Sequence, residues 1–97
     1  MIREVLNCKP GKVRDMVEKF RGISTVLKGM GQEPLRLLTD VTGEPFWSVV
    51  VEASVEKIDH FFVLEQRLMA HEALRKSMSD YHCLIERGRR EIYRIES

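Results

Sequence analysis

The stretch VLNCKPGKVRDMVEKF, Val5 to Phe20, changes its hydrophobic period at a Pro-Gly pair. Before the pair, apolar and polar side chains alternate, which is typical of a β-strand. After it, apolar residues recur every three or four positions, which is typical of one face of an α-helix. The pattern predicts a strand over Ile2 to Cys8, a corner at KPGK and a long helix from Lys12. The helix is predicted to end at Gly29 or Gly31, either of which suits a left-handed C-cap.

The KPGK segment, Lys9 to Lys12, does not match a nucleotide-binding loop. A P-loop requires GxxxxGK followed by Ser or Thr, and a dinucleotide loop requires GxGxxG within a parallel βαβ unit. The segment offers one glycine and neither pattern. Pro10 and Gly11 instead predict a turn that ends the strand and directs the chain into the helix.

The rest of the chain predicts two more extended runs, a second helical region and a closing strand. Pro34 opens the run LRLLTDV, FWSVVVEA forms the next, and TGEP, Thr42 to Pro45, is predicted as the hairpin turn between them. Ser54 with Glu56 predicts the start of the helical region, which is long enough to break in two. Gly88 is predicted to end it, and RREIYRIE is predicted as the fourth strand.

The resulting order, β-α-β-β-α-β, predicts an α+β protein of the ferredoxin-like class, with an antiparallel sheet that helices cover on one face. Both faces of the third strand carry apolar residues: Trp47, Val49 and Val51 on one face, Phe46 and Val50 on the other. An apolar sheet face that no helix covers needs a partner. A second copy, packed sheet against sheet about a two-fold axis, is the simplest one, so the sequence predicts a homodimer.

Composition favours a single globular, soluble domain that spans residues 1–97 and lies in the cytoplasm. Hydrophobic residues make up 43% of the chain and charged residues 32%. The net charge is +1 with no long run of one sign, which argues against nucleic-acid binding. No apolar run approaches the roughly 20 residues of a membrane span, and MIREVL lacks a signal-peptide core. Cys8 and Cys83 are predicted to be reduced thiols.

Three segments resemble the dimeric α/β-barrel superfamily, in particular its NIPSNAP-like and antibiotic-biosynthesis-monooxygenase-like members. They are the KPGK corner, the hairpin RLLTDVTGEPFWSVVVEA and the closing strand ERGRREIYRIE. The resemblance covers nearly the whole chain and implies the dimeric α/β-barrel form of the fold. Members of the superfamily include heme-degrading monooxygenases, cofactor-free oxygenases acting on polyketide quinones, lactone isomerases and many proteins with no known activity. The resemblance therefore implies an architecture rather than one activity.

His71 and Glu4 are the candidate catalytic residues. His71 lies ten residues after Phe61, near the predicted helix break, where similarity to the heme-degrading members implies an active-site histidine. Those members carry Trp at the position of Phe61 and Asn at that of Glu4. An imidazole at a helix break can move a proton at neutral pH, or it can simply be solvated or cap the helix. Glu4 is predicted to project toward the cavity between sheet and helices as a general base, or to pair with an arginine such as Arg90.

Four aromatic residues are candidates for lining a small-ligand site: Trp47, Phe61, Tyr81 and Tyr93. Two of them have a structural alternative, since Tyr81 can belong to the core and Trp47 can pack under a helix. Eleven-residue spacings place the three histidines about three helical turns apart, too far to share one metal ion. The sequence predicts neither a metal site nor a cofactor site.

Two functions remain open from the sequence. The chain is a non-catalytic dimeric module that binds a small apolar or aromatic ligand or supports another protein, or it is a monooxygenase-like enzyme. The enzyme would use His71 and Glu4 for proton transfer around an apolar aromatic substrate, or a borrowed heme, in the sheet–helix cavity. We favour the first function, because the chain has many large apolar residues and only one well-motivated polar candidate.

Overall fold

The computed structural model describes residues 1–42 and 46–96, so most of the predicted TGEP turn lies outside the described residues. Within these ranges, the strands are β1 (Ile2–Cys8), β2 (Arg36–Thr39), β3 (Ser48–Ala53) and β4 (Ile85–Ile92). The helices are α1 (Val13–Gly29), α2 (Ile58–Met69) and α3 (Glu72–Ser77), followed by a 3-10 turn at Tyr81–Cys83. The strand order is β2-β3-β1-β4, and each neighbouring pair is antiparallel. The predicted α+β, ferredoxin-like arrangement is confirmed.

The core lies between α1 and one face of the sheet, which we call the inner face. Apolar side chains of α1 and of the central strands interlock there, in the cluster Leu6, Cys8, Met16, Val17, Phe20, Val49, Val51 and Leu84. Met16 and Val49 have no exposed surface. Burial of these side chains holds the helix on the sheet, because apolar area removed from water is the main stabilising term in folding. The opposite, outer face of the sheet carries none of this cluster.

The KPGK corner and the end of α1 are both built on a glycine in the left-handed region. Gly11 has φ +80°, and the Lys12 N–H donates to the Lys9 carbonyl at 3.0 Å, as in a type II turn with Pro at its second position. At the end of α1, Gly31 has φ +75°. The next residue closes the helix, since the Gln32 N–H donates to the Leu27 carbonyl at 2.9 Å in a Schellman motif. Gly31, and not Gly29, is the left-handed C-cap residue.

The prediction that Gly88 ends a helix is wrong, because Gly88 lies inside β4 and the strand begins at Ile85. A Cβ atom at Gly88 would lie 2.8 Å from Cδ2 of Leu6 on the neighbouring strand, so a larger residue there would require the Leu6 side chain to shift. The glycine therefore accommodates a core side chain across the β1–β4 ladder. Sequence periodicity does not report such a contact between strands that are distant along the chain.

The starts of the third strand and of the second helix also differ from their predictions. The third strand begins at Ser48 rather than at Phe46, because Trp47 has φ +66° and left-handed backbone cannot continue an extended strand. The second helix begins at Ile58, since the chain is still extended at its N-cap Lys57, so Ser54 is not the cap. The predicted break of the second helical region is confirmed between α2 and α3.

Candidate functional site

A cavity of about 810 Å³ lies between the inner face of the sheet and the three helices. Its walls are mainly apolar side chains from several elements, including Ile2, Leu6, Phe20, Val51, Leu64 and Leu68. Small-molecule sites in proteins have volumes of about 300–1,000 Å³, with apolar walls and a few polar groups. The cavity therefore has the size and the lining of a ligand site.

The wall of this cavity carries an ion cluster of Glu4 on β1, Arg90 on β4 and Glu65 on α2. Glu4 and Arg90 are cross-strand partners in the β1–β4 register. The Nε of Arg90 donates to Oε1 of Glu4 at 2.8 Å, and its Nη2 donates to the same oxygen. Nη2 also lies 3.2 Å from Oε2 of Glu65, which reaches it from the helix layer. The cluster thus joins both layers of the fold at the cavity wall.

Arg90 is a permanent cation in this cluster. Burial alone lowers its pKa, but the hydrogen bond to Glu4 and the charges of Glu4 and Glu65 outweigh that effect and raise the pKa above its ordinary value. Its guanidinium carbon also lies 5.1 Å from the centroid of the Phe61 ring, within the range of a cation–π contact. One turn of α2 separates Phe61 from Glu65, so a single helix face supplies both contacts to Arg90.

The structure brings some of the predicted site residues to the cavity and leaves others elsewhere. Glu4, Phe61 and Tyr81 line the cavity. His71 is exposed and is the N-cap residue of α3, where its Nδ1 accepts a long hydrogen bond of 3.4 Å from the Leu74 N–H. Proton transfer by His71 stays a prediction.

The other two predicted aromatic residues lie outside the cavity wall as described. Trp47 is 45% exposed at the start of the third strand. Tyr93 follows β4, and the guanidinium carbon of Arg3 lies 5.4 Å from the centroid of its ring. Ligand contacts by these two side chains likewise stay a prediction.

Sequence reasoning missed Glu65 and treated Arg90 only as one possible partner of Glu4. The spacing of Phe61 and Glu65 on α2 is the signal that places them on one helix face. It does not reveal that this face lies over the end of β4, because that depends on how the helix packs across the sheet.

The outer face of the sheet has two rows of residues that run across all four strands. In the first row, Leu38, Val50 and Val5 are cross-strand neighbours, and Arg89 is the residue beside Val5 on β4. In the second row the charges alternate strictly, in the order Arg36, Glu52, Arg3 and Glu91. We call these the apolar row and the charged row.

Ion pairs already join some members of the charged row to their neighbours within the chain. The Nε of Arg3 lies 2.8 Å from Oε2 of Glu52, and the Nε of Arg36 lies 4.0 Å from its Oε1. At one end of the row, the Arg36 side chain is 76% exposed. At the other end, the Glu91 side chain is 26% exposed, and its Oε2 lies 3.3 Å from the Nε of Arg89. The end of the row at Arg36 is therefore open to a partner.

The two thiols differ in their surroundings, and neither belongs to a disulfide. Cys8 is buried, which raises the pKa of its thiol, and the charge of Asp40 adds to that effect; Cys83 is exposed. In the part of the chain that the structure describes, no three His, Cys, Asp or Glu side chains are grouped so as to hold a metal ion. Within residues 1–42 and 46–96, no helix combines the length and the apolarity that crossing a membrane requires.

Comparison with known proteins gives matches among solved structures only. No family model and no curated protein matches the chain. A crystal structure of a NIPSNAP family protein from Agrobacterium tumefaciens matches with a TM-score of 0.80 at 15% identity, over 98% of this chain and 91% of that one. A second protein from Agrobacterium tumefaciens matches with a TM-score of 0.77 at 20% identity, over 97% and 92%. An uncharacterized NIPSNAP domain protein from Burkholderia xenovorans matches with a TM-score of 0.72 at 17% identity, over 99% and 96%.

These likenesses extend over nearly the full length of each chain, and at such identities they establish the fold alone. The resemblance inferred from the KPGK corner, the hairpin and the closing strand is confirmed at that level. This chain has a NIPSNAP-like fold.

Proposed function

We propose that this protein is a cytoplasmic, non-catalytic homodimer that binds a small apolar or aromatic ligand in the cavity between its sheet and its helices. The observation that carries the proposal is the cavity itself, with a volume of about 810 Å³, mainly apolar walls and one ion cluster. An apolar cavity gives affinity through burial of the ligand, and a few fixed polar groups give it orientation.

The apolar row supports the homodimer. Val5, Leu38 and Val50 lie side by side on three strands and are only partly buried within one chain. A second sheet that covers the row would remove this surface from water, at a gain of about 25 cal/mol for each Å².

The charged row supports one particular arrangement of two copies. A two-fold axis that runs parallel to the strands, midway between β3 and β1, brings the row against its own copy in reverse order. Arg36 then faces the partner's Glu91, and Glu52 faces the partner's Arg3, so that opposite charges meet at every position. An isologous interface requires exactly this kind of self-complementary surface.

The alternative function is a monooxygenase-like enzyme, and the position of Glu4 in the cavity wall favours it. Such an enzyme would use Glu4 and His71 for proton transfer on an apolar aromatic substrate, or on a heme, in the cavity. Against this, both the Nε and the Nη2 of Arg90 already donate to Glu4, so its carboxylate is engaged within the chain and not free to take a proton from a substrate.

Substitution of His71 separates the two functions. We expect His71→Ala to leave the affinity for naphthylmethanol, a neutral aromatic probe, within about twofold of wild type, because His71 lies outside the cavity wall as described. The loss of a long capping hydrogen bond should lower the free energy of unfolding by less than about 1 kcal/mol. Calorimetric titration and urea denaturation measure the two quantities.

Two results would contradict the proposed function in this experiment. One is the failure of wild-type protein to bind the probe with one saturable site per subunit. The other is an oxygen-dependent turnover of an aromatic substrate that disappears in His71→Ala while the dimer persists, which would support the enzyme instead.

A further inference from the structure

We infer that the cavity selects a ligand whose apolar body ends in a hydrogen-bond donor. It prefers a cationic amine to a hydroxyl as that end group, and it discriminates against a carboxylate. This inference rests on the proposed ligand-binding function, and it adds the chemical class of the ligand. The selectivity would arise from the charge balance of the cluster of Glu4, Arg90 and Glu65.

The cluster has one positive and two negative charges, so its net charge is −1. Arg90 directs its Nε and Nη2 toward Glu4, and its Nη2 also toward Glu65. Its positive charge is therefore already paired with two carboxylates. A ligand carboxylate that approaches Arg90 would have to displace one of these side chains and would meet the repulsion of the other. In a site with apolar walls, such repulsion is screened much less than in water.

Glu65 is the member of the cluster whose hydrogen bonds are incomplete. Its Oε2 is shielded from solvent, and its donor neighbour among the described residues is Nη2 of Arg90 at 3.2 Å, which also donates to Glu4. The Glu65 side chain as a whole is 37% exposed and lines the cavity, so a turn of its carboxylate would present the shielded oxygen to a donor on the ligand. A donor on the ligand would supply a charge-assisted hydrogen bond, which is about twice as strong as a neutral one.

Among the described residues, three further charged residues line the cavity, namely Glu33, Arg75 and Arg89. Together they add one positive charge, which the ion pair of Arg89 with Glu91 offsets. Glu33 and Arg75 are exposed and of opposite sign, and Arg89 pairs with Glu91 at 3.3 Å. The net charge of the whole chain is +1, which slightly favours anions at long range. A preference for a cationic ligand would therefore originate in the cavity and not in the overall charge.

The test compares three probes that share one aromatic body and differ at the end group: naphthylmethylamine, naphthylmethanol and naphthoate. Calorimetric titration of the wild-type protein at neutral pH should give the tightest binding for the amine and the weakest for the carboxylate. We expect about a tenfold difference in the dissociation constant between these two. Glu65→Gln should remove most of that difference, and it should weaken the binding of naphthylmethylamine more than that of naphthylmethanol.

Glu72→Gln is the matched control, because Glu72 is an exposed carboxylate on α3 whose nearest cation is Lys76 at 3.8 Å, and it does not line the cavity. It should keep the wild-type order of affinities. If naphthoate binds as tightly as naphthylmethylamine, the inference is overturned, but the proposed ligand-binding function still stands. The same holds if Glu65→Gln keeps the wild-type order of affinities for the three probes. Failure of all three probes to bind overturns both. The wild-type order is decisive by itself if Glu65→Gln does not fold.

Discussion

Arg36→Glu and Glu91→Arg should each weaken the homodimer, and a mixture of the two variants should restore it. In the arrangement set by the charged row, Arg36 faces the partner's Glu91 at two places related by the two-fold axis. Either reversal places like charges together at both places. We expect an increase in the dimer dissociation constant of about tenfold or more, measured by analytical ultracentrifugation at low salt.

The mixed sample makes this prediction specific to the proposed geometry. In a heterodimer of the two variants, the introduced Glu faces the introduced Arg at one place, and the native Arg36 faces the native Glu91 at the other. Both contacts are then attractive, so the heterodimer should dissociate less than either variant alone. Mass spectrometry distinguishes the heterodimer from the two homodimers.

Arg14→Glu is the control for the change in net charge of the chain. Arg14 is exposed on α1, in the layer on the inner side of the sheet, and so lies away from the proposed interface. It should leave the dimer unchanged. If the wild-type chain is a monomer, the homodimer itself is wrong. If wild type and both variants are equally stable dimers, the outer face with its charged row is not the interface.

Leu64→Trp should abolish binding of a small aromatic ligand while the chain still folds. Leu64 is half-buried on α2 and lines the cavity, so an indole at this position would occupy space that the ligand needs. The empty volume should also limit the overpacking cost, which in a filled core is about 1–3 kcal/mol. We expect at least about a tenfold loss of affinity for naphthylmethanol, measured by calorimetric titration.

Val63→Trp is the matched control, since Val63 precedes Leu64 on the same helix, is 53% exposed and does not line the cavity. It introduces the same side chain at an exposed position of α2, and this variant should bind the probe as wild type does. Equal binding by Leu64→Trp and wild type would show that the ligand site lies elsewhere. Circular dichroism of both variants verifies the fold.

A helix or strand of this fold could be predicted from sequence where its hydrophobic pattern lies within the element itself. The alternation in β1 and the stripe on α1 are both local patterns, and Pro10 with Gly11 marks the change between them. The prediction of an element failed where a residue contacts a neighbour that is distant along the chain. Gly88 has the identity of a helix terminator, but in β4 it pairs across the ladder with Leu6, which lies far away along the chain.

The candidate site was less predictable for the same reason. The alternation of β1 indicated that Glu4 faces the cavity, and the charge of Arg90 indicated a possible partner, which the structure shows. Glu65 could not be found, because the packing of α2 across the sheet is a three-dimensional property that the sequence pattern does not contain. His71 was singled out by a resemblance at the helix break, and its observed contact is a helix cap.

The measurement that tests the central claim most directly is native mass spectrometry of the full chain with naphthylmethylamine in excess. We expect a dimer, with twice the 11.3 kDa mass of the subunit, that carries one probe molecule in each copy. A monomer at micromolar concentration, or a dimer that stays free of the probe, would contradict it.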